Sequence, residues 1–383
     1  MEQIETVVIG SGLAGVCAAR DLLEAGRQVV LVEARDRVGG RTYSAPFEAA
    51  GLTVDLGAEW VDPDQHQAMM QELARYEIDL EDKVFETPSQ GWAPETEAAS
   101  WHSIVQTCDR IAAQLNPDQP HWYEGFDQFD LPVTAFLEAH AHDINDLSTF
   151  LAHGFALQGA HPDDYSMLNL LHEFASFGGV EAAFNGAEGR IAGGAQSLSI
   201  AMANTLGSVL RLNCPVTRIA KTEGGVIVEG PAGQILAGQV IVALPLNVLS
   251  HLSLDVPLPA MAARVIVEGH VGRAAKGWAV ATLSEPVEST GWPHAVEVYS
   301  RRGSRSDAVC TFAVADPSHD EALTESWRVL ATRHPDVVLH PQHVSHDWIS
   351  DPFSRGSWLS SAPGQMRGLH ELADMPPPVL FAG

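Results

Sequence analysis

Lysine is the scarcest charged residue in this chain of 383 residues, with only Lys83, Lys221 and Lys276 among 22 basic residues. The 49 acidic residues give a net charge of −27, which argues against nucleic acid or an anionic membrane surface as a partner. The same charge is compatible with a cationic substrate. Because lysine is so rare, each lysine that is present deserves individual inspection.

Cysteines and long apolar segments are also few. The four cysteines are widely spaced without a CxxC pair, so we expect buried, reduced thiols and no disulfide framework. The longest apolar runs are too short to cross a bilayer. A strand-like run begins at Ile4, which leaves no room for a signal peptide and predicts a cytoplasmic protein. His340, His343 and His346 lead into a strand whose period of two would separate them, so no metal is predicted.

The N-terminus has the pattern of a strand, a turn, a helix and a second strand. Residues 4–9 end in the apolar, β-branched run Val7-Val8-Ile9 and suit a buried parallel strand. Residues 13–25 have helical periodicity, and Gly26 is a suitable helix stop. Residues 29–32 form a second apolar run, so the segment predicts one βαβ unit.

The turn of this unit carries the pattern GxGxxG at Gly10, Gly12 and Gly15. Between a strand and a helix, this pattern indicates a dinucleotide-binding site. Gly10 permits the tight turn, Gly12 lets the backbone approach a pyrophosphate, and Gly15 allows the helix to pack closely on the strand. The helix N-terminus favours the anion, and Glu33 can accept hydrogen bonds from a ribose 2′-hydroxyl.

Three arginines follow within seven positions, at Arg35, Arg37 and Arg41, together with the glycine pair Gly39 and Gly40. Arginine pairs well with phosphate oxygens, and paired glycines let a backbone approach a ligand. The run therefore predicts a second element that binds pyrophosphate, with a solvated charged loop as the alternative.

The string VVIGSGLAGVCAARDLLEAGRQVVLVEARDRVGGRTYS at residues 7–44 resembles the flavin-containing amine oxidase family. That family includes polyamine oxidases, L-amino-acid oxidases and histone demethylases of the flavin type. DLGAEWV at 55–61, Gly193-Gly194 with LNCPV at 212–216, and VIVALP at 240–245 resemble further FAD-contacting segments, so the resemblance covers nearly the whole chain. The FAD-binding residues that it implies are Gly10, Gly12, Leu13, Ala14, Gly15, Glu33, Ala34, Arg35, Gly39, Gly40, Arg41, Gly57, Ala58, Glu59, Trp60 and Val216.

The candidate catalytic residues are Lys276, Trp348 and Trp358. Lys276 matches a family lysine that is hydrogen-bonded through water to flavin N5, and we expect burial to lower its pKa. The string from Trp348 to Trp358 is similar to the family motif W-x7-G-x-[YW], in which Trp358 forms one wall of an aromatic cage and Trp348 supports the flavin pocket. Ser357 replaces the cysteine of members with covalent flavin, which implies non-covalent FAD.

The fold implied is α/β, with a Rossmann-like FAD-binding domain and an interleaved substrate domain of mixed sheet plus helices. The FAD-binding domain is expected to comprise residues 1–61, 187–250 and 365–383. The substrate domain is expected to comprise residues 62–186 and 251–364. Within it, the sequence predicts helices at 65–76, 100–115 and 320–333, and strands that include 265–271 and 277–282.

The implied activity is oxidation of a primary or secondary amine by hydride transfer from the α-carbon to flavin N5. The imine is then hydrolysed, and O2 or another acceptor reoxidises the flavin. The partners are thus an amine and an electron acceptor, and a homodimer stays open. Two alternatives remain: an FAD-dependent desaturase or oxidase of a non-amine, and a truncated, non-catalytic FAD-binding protein. The last alternative arises because the sequence ends at Gly383, where the family continues with a second cage aromatic and a helix towards the flavin.

Overall fold

The computed structural model describes residues 1–81, 90–91, 97–141, 144–185 and 189–383, so Lys83 lies outside the described residues. The strands are β1 (Glu2–Ile9), β2 (Val29–Val32), β3 (Ser44–Phe47), β4 (Leu52–Asp55), β5 (Trp60–Val61), β6 (Gln90–Gly91), β7 (Gly189–Arg190), β8 (Leu210–Arg211), β9 (Arg218–Thr222), β10 (Gly225–Gly230), β11 (Gly233–Val242), β12 (Ser253–Asp255), β13 (Ala274–Thr282), β14 (Glu288–Thr290), β15 (Glu297–Arg301), β16 (Asp307–Val314), β17 (Val338–Ser345) and β18 (Val379–Phe381). The α-helices are α1 (Leu13–Glu24), α2 (Gln67–Arg75), α3 (Glu97–Ala112), α4 (Val133–His140), α5 (Ser148–Gln158), α6 (Met167–Phe177), α7 (Val180–Asn185), α8 (Gln196–Asn204), α9 (Leu246–Leu249), α10 (Ala260–Glu268), α11 (His319–Arg333) and α12 (Met366–Ala373).

The first sheet is mixed and has eight strands in the order β12, β9, β10, β11, β1, β2 and β8, with β18 also paired to β11. β1 lies between two parallel neighbours, because Val7 pairs with Val30 of β2 and with Val240 of β11. A strand buried on both faces needs apolar residues at consecutive positions, which explains Val7, Val8 and Ile9 at the buried end of β1. β9, β10 and β11 form an antiparallel meander, as their glycine-rich connections predict.

The second sheet has six strands in the order β17, β13, β16, β15, β14 and β6. β13 lies between β17 and β16, and its residues from Ala274 to Ala281 are all buried. α11 covers one face so closely that a Cβ on Gly277 would lie 2.8 Å from Leu323 Cδ1. The other face packs against the chain segment that follows β4, and this face carries the candidate catalytic lysine.

Helices α3 to α7 pack around a separate apolar core. Its buried members include Ile104, Cys108, Phe136, Leu137, Leu147, Phe150, Tyr165, Leu170 and Phe174. The helices predicted at 65–76 and 100–115 are confirmed as α2 and α3, with shifted ends. The overall architecture is the mixed α/β fold that the sequence predicts.

The strand predicted at residues 265–271 is wrong, because most of this segment belongs to helix α10. Pro259 forms the N-cap, and one face of the helix buries Ala262, Val265 and Ile266, a spacing of three and four residues. Val267 points outwards and is 79% exposed. The β-branched residues suggested a strand, but helical packing against α12 prevails over that preference.

Across the described ranges, every helix is too short or too polar to cross a lipid bilayer.

Candidate active site

The glycine turn and the start of α1 form one end of a cleft beside the first sheet. Gly10 has a φ of +97°, and a Cβ on Gly15 would lie 1.8 Å from Gly10 O, so only glycine lets the helix approach this closely. A Cβ on Gly12 would meet no atom within 4 Å, since this position borders open space. Leu13 and Ala14 line the cleft, and first-turn N–H groups have no intrahelical acceptor. An anion at this position would meet free backbone donors.

Glu33 lies in the cleft as predicted, but the protein already uses most of its acceptor capacity. One carboxylate oxygen accepts from Ser11 N at 2.7 Å and from Ser11 Oγ at 2.8 Å. The other accepts from Arg35 N at 2.9 Å. A carboxylate offers about four acceptor positions. Glu33 therefore fixes the glycine turn first and keeps room for about one further hydrogen bond, such as one from a ribose.

The three arginines that follow Glu33 do not form a common anion site. Within the described ranges, only Arg35 among them pairs with an acidic side chain, Asp351, at 2.8 Å. Arg37 lies over the ring of Tyr43, with 3.9 Å between Cζ and the ring centroid. Arg41 donates to Ser357 O at 2.7 Å, and burial holds its pKa below the ordinary value. Of the two arginines without an acidic partner among the described residues, Arg41 is the one that lines the cleft, so its charge can face a ligand there.

Asp351 is the anchor of the segment between Trp348 and Trp358. Besides Arg35, it accepts a hydrogen bond from His346 Nε2 at 2.7 Å. Burial alone would raise the pKa of Asp351, but these partners outweigh it, so the pKa lies well below its ordinary value. The three histidines near this segment point to different partners. His340 bonds Thr282 Oγ1 and His343 bonds a backbone carbonyl, so neither contacts the carboxylate that holds His346.

The nucleotide cleft, as we call the cavity of about 340 Å³ beside the glycine turn, contains most of the predicted cofactor residues. Its lining includes Gly10, Gly12, Leu13, Ala14, Glu33, Ala34, Arg35, Gly39, Gly40, Arg41, Ala58, Val216 and Trp358. Cys214 N donates to Glu33 O at 2.7 Å, which holds the segment ending at Val216 against the second strand. Gly15 contributes through packing of α1.

Strand alternation places Lys276 on the inner face of the second sheet. Residues two apart on a strand point the same way, so Lys276 shares a face with Ala274 and Trp278. Its register partner on β16 is Phe312. The neighbouring residues Ala275 and Gly277 face α11 instead. A lysine in the middle of this buried strand is therefore directed into the protein, and it is 3% exposed.

Lys276 forms a buried ion pair with Glu59. Lys276 Nζ lies 2.6 Å from Glu59 Oε2 and 3.1 Å from Gly57 O. Burial lowers the pKa of Lys276, but Glu59 more than offsets this, and the pKa lies above its ordinary value. The expectation of a lowered pKa is wrong, because it omitted the carboxylate beside the lysine. The pair with Glu59 therefore favours the protonated form of Lys276.

A cavity of about 240 Å³, which we call the lysine cavity, lies between the second sheet and the segment after β4. It is lined by Arg41, Leu56, Gly57, Ala58, Glu59, Trp60, Ala156, Ala274, Lys276, Glu297, Phe312, Trp348, Ser357 and Trp358. Arg41, Ala58 and Trp358 also line the nucleotide cleft, so the two spaces adjoin. All three predicted catalytic residues meet here.

The segment after β4 is held by side chains from the second half of the chain. Trp278 Nε1 donates to Asp55 O at 3.1 Å, and Trp348 Nε1 donates to Leu56 O at 2.8 Å. With Lys276 on Gly57 O, three successive carbonyls each accept a side-chain N–H. A Cβ on Gly57 would lie 1.9 Å from Arg41 O, so the segment also passes too close for any other residue.

Trp358 and Ser357 close the cavity on the side of the nucleotide cleft. Trp358 Nε1 donates to Leu157 O at 2.8 Å, which fixes the ring. Ser357 Oγ accepts from Ala274 N at 3.1 Å and is almost fully buried. This serine is engaged in packing β13 against the segment.

Glu297 is a functional candidate that the sequence did not reveal. It lines the lysine cavity from β15, and no hydrogen bond to its carboxylate is formed within the described part of the chain. Burial raises its pKa to about 7, with Lys276 opposing the shift and the Glu288 and Glu59 carboxylates adding to it. Strand alternation alone cannot distinguish a solvent-facing glutamate from one that faces a cavity.

The residues of the nucleotide cleft fit FAD. The open space at Gly12 suits a pyrophosphate, and Glu33 retains acceptor capacity for a ribose. Val216 and Leu252 offer an apolar wall, and Arg41 stands where the cleft meets the lysine cavity. A dinucleotide in the cleft could therefore extend to the cavity that contains Lys276.

Comparison with known proteins gives the same assignment. Residues 13–383 match the family model of flavin containing amine oxidoreductases. Putrescine oxidase of Kocuria rosea is 30% identical over 96% of this chain and 86% of its own length. Nicotine dehydrogenase of Pseudomonas putida is 25% identical over 99% of this chain and 83% of its own.

Solved structures share the fold. Cyclohexylamine oxidase from Brevibacterium oxydans IH-35A superimposes with a TM-score of 0.85 at 19% identity, covering 99% of this chain and 92% of that one. Wild-type putrescine oxidase bound to putrescine gives a TM-score of 0.82 at 24% identity, covering 99% and 93%. The family match over nearly the whole chain carries the assignment, and these folds agree with it. The chain is a flavoprotein oxidoreductase that belongs to the flavin-containing amine oxidoreductase family.

Proposed function

We propose that this chain binds FAD without a covalent bond and oxidises an aliphatic amine that carries a second amino group. The observation that carries the proposal is the lysine cavity. It adjoins the nucleotide cleft through Arg41, Ala58 and Trp358, and it contains the ion-paired Lys276 and the Glu297 carboxyl, which has no hydrogen-bond partner among the described residues.

The first-turn amides of α1 would hold the pyrophosphate, and Glu33 and Val216 would hold the ribose and the adenine. Bound FAD supplies an acceptor for the hydride of the amine's α-carbon and passes the electrons to O2 or another acceptor. Non-covalent binding is supported by Ser357, which lacks a nucleophilic thiol and is engaged with Ala274 N.

Lys276 and the aromatic side chains would orient the substrate. Trp348, Trp358, Trp60 and Phe312 give the cavity apolar walls, which exclude water from the reacting carbon. The ammonium of Lys276 disfavours a second cation beside it, so the reacting amine would occupy this end in its neutral form. Loss of the hydride converts the amine into an imine, which water would then hydrolyse.

Glu297 would bind the charged amino group at the other end of the substrate. A carboxylate in a cavity of low polarity gains strongly from an ammonium partner, because the pair compensates the cost of burying either charge. The relative named putrescine oxidase, whose solved structure contains putrescine, agrees with a diamine.

The domain division, the cellular location and the oligomeric state are also proposals. We propose an FAD-binding part and a substrate part as the sequence divides them, but with residues 251–268 in the FAD-binding part, because β12 joins the first sheet and α10 packs on α12. The cytoplasm stays the predicted location, and a homodimer stays open.

The test is an absorption spectrum of the FAD-saturated protein, followed by titration with amines in the absence of oxygen. Diamines should bleach the flavin at lower concentration than monoamines of equal chain length. Bleaching by non-amine substrates alone would contradict amine oxidation. A protein that stays colourless after FAD is added would contradict the cofactor assignment.

A further inference from the structure

Glu59 is the acceptor on which the polar side chains behind the lysine cavity converge. Its Oε2 accepts from Lys276 Nζ at 2.6 Å and from Tyr299 OH at 2.5 Å. Its Oε1 lies 3.4 Å from Arg190 Nη1. The Glu59 side chain is entirely buried, and so is almost all of Lys276. These donors come from three different strands, so Glu59 joins parts of the chain that are distant in sequence.

Alternating charges continue from Glu59 towards the protein surface. Arg190 Nη2 lies 3.4 Å from Glu81, and Glu81 in turn pairs with Arg301 at 2.9 Å. Arg301 also donates to Thr53 O at 3.0 Å. Glu59, which pairs with Lys276, thus also contacts Arg190, and Arg190 in turn pairs with Glu81.

This arrangement makes loss of the lysine proton unfavourable. A buried ion becomes costly when its partner is neutralised. If Lys276 lost its proton, the described charged and hydroxyl partners left to Glu59 would be Arg190, at a longer distance, and Tyr299. The ion pair between Lys276 and Glu59, the shortest in the cluster, would then be lost. The charge of Lys276 and the position of its Nζ therefore depend on each other.

We propose that Glu59 is a positioning residue, which fixes Lys276 as a permanent cation at the wall of the lysine cavity. This inference rests on the proposed function for its catalytic meaning. Glu59 acts through Lys276, which would serve the reaction as a fixed positive charge and hydrogen-bond donor and not as a base towards the substrate. The ammonium of Lys276 and the carboxyl of Glu297 would then face the same cavity as two separate polar contacts for a substrate.

Other titratable groups near Lys276 are less direct partners. Asp55 accepts from Ser44 Oγ and Ala195 N, and burial raises its pKa to about 6. Cys310 lies on β16, where burial raises the pKa of its thiol and keeps it uncharged. Glu297 faces the same cavity with a raised pKa. Among the described acidic groups, Glu59 is the one within hydrogen-bond distance of Nζ.

The scarcity of lysine makes a direct test practical. Labelling the FAD-saturated protein with lysine that carries 13C and 15N gives side-chain NMR signals from only Lys83, Lys221 and Lys276. Lys276→Met identifies the third signal, and the exposed Lys221 provides an internal reference. The pH is then raised while the Cε shifts are followed in the wild type, in Glu59→Gln and in Tyr299→Phe.

In the wild type, we expect the Cε shift of Lys276 to stay at the value of a protonated lysine up to the highest pH at which the protein is folded. In Glu59→Gln, burial is no longer offset, so the pKa of Lys276 should fall by about 2 units or more. Tyr299→Phe removes a hydrogen bond from the same carboxylate without removing its charge, and should leave the signal close to that of the wild type. If Glu59→Gln titrates like the wild type, the inference is refuted.

A second variant covers the case in which Glu59→Gln does not fold. Glu59→Gln combined with Lys276→Met removes both charges of the pair, so it should fold where Glu59→Gln alone does not, and where both fold it should unfold at the higher temperature. A double variant that is no more stable than the single one would overturn the pairing. The titration requires no amine, so a protein that shows the shift but oxidises no amine would refute the proposed function and leave the role of Glu59 intact.

Discussion

Replacing Glu297 by glutamine tests the substrate assignment most directly. The change keeps the size of the side chain and removes its charge in the lysine cavity. A hydrogen bond with a charged partner contributes about 1.5–3 kcal/mol. A loss of about 2 kcal/mol corresponds to a roughly 30-fold fall in kcat/KM for a diamine. For a monoamine of the same chain length, the change should stay below about threefold, because that substrate has no second ammonium to lose.

Glu297→Gln, which should lower the activity towards diamines, should raise the stability of the fold at alkaline pH. The pKa of Glu297 rises from 4.5 to about 7 on folding. The folded chain therefore holds a proton that the unfolded chain releases, so the stability from this group is fully present below pH 4.5 and is lost as the pH rises through 7. At 1.36 kcal/mol per unit, the loss above pH 7 is at most roughly 3 kcal/mol. Glu297→Gln should therefore unfold at a higher temperature than the wild type at pH 8, and at a similar temperature at pH 5.

Steady-state kinetics with paired diamines and monoamines, together with thermal unfolding at the two pH values, provide the assay. Glu285→Gln is a control, because Glu285 is exposed and is not among the residues that line the lysine cavity. It should leave the preference for diamines unchanged. Equal losses for both substrates in Glu297→Gln would show that the carboxyl supports the fold and does not select the substrate.

Lys276→Met should slow reoxidation of the reduced flavin by oxygen, measured by stopped-flow absorbance, while FAD still binds; an unchanged oxidative rate would argue against a role for this cation. Gly57→Ala forces a Cβ to within 1.9 Å of Arg41 O and should cost about 3 kcal/mol of unfolding free energy or more, whereas Gly224→Ala, which meets no atom within 4 Å, should cost little. Asp351→Asn leaves Arg35 without its carboxylate and should lower the unfolding free energy at neutral pH by about 3 kcal/mol in chemical denaturation. A variant as stable as the wild type would show that Arg35 does not depend on this pair.

The nucleotide cleft was largely predictable from sequence because its residues lie in local order. Gly10, Gly12 and Gly15 are constrained by one turn, and Glu33 follows at the end of the next strand, so a single βαβ unit fixes their relative positions. Lys276 was recognisable because lysine is rare and because its segment resembles that of the family.

The partners of Lys276 were not predictable in the same way. Glu59 and Lys276 are separated by 217 positions, and nothing local to either indicates that they pair. The error in the direction of the lysine pKa follows from this gap, since burial was foreseen and the neighbouring charge was not. Glu297 was missed for a related reason: a glutamate at alternate positions of a strand has the same pattern whether it faces water or a cavity.

The three carbonyls of residues 55–57 also have a consequence for how the chain folds. Each accepts a hydrogen bond from a side chain more than 200 positions later, at Trp278, Trp348 or Lys276. Closing such long loops costs entropy that is recovered only once distant strands have docked, and contacts of this kind slow folding. The segment would therefore acquire its final path late in folding, after both sheets have formed. During synthesis, it would have to wait until the polypeptide has been extended past Trp348.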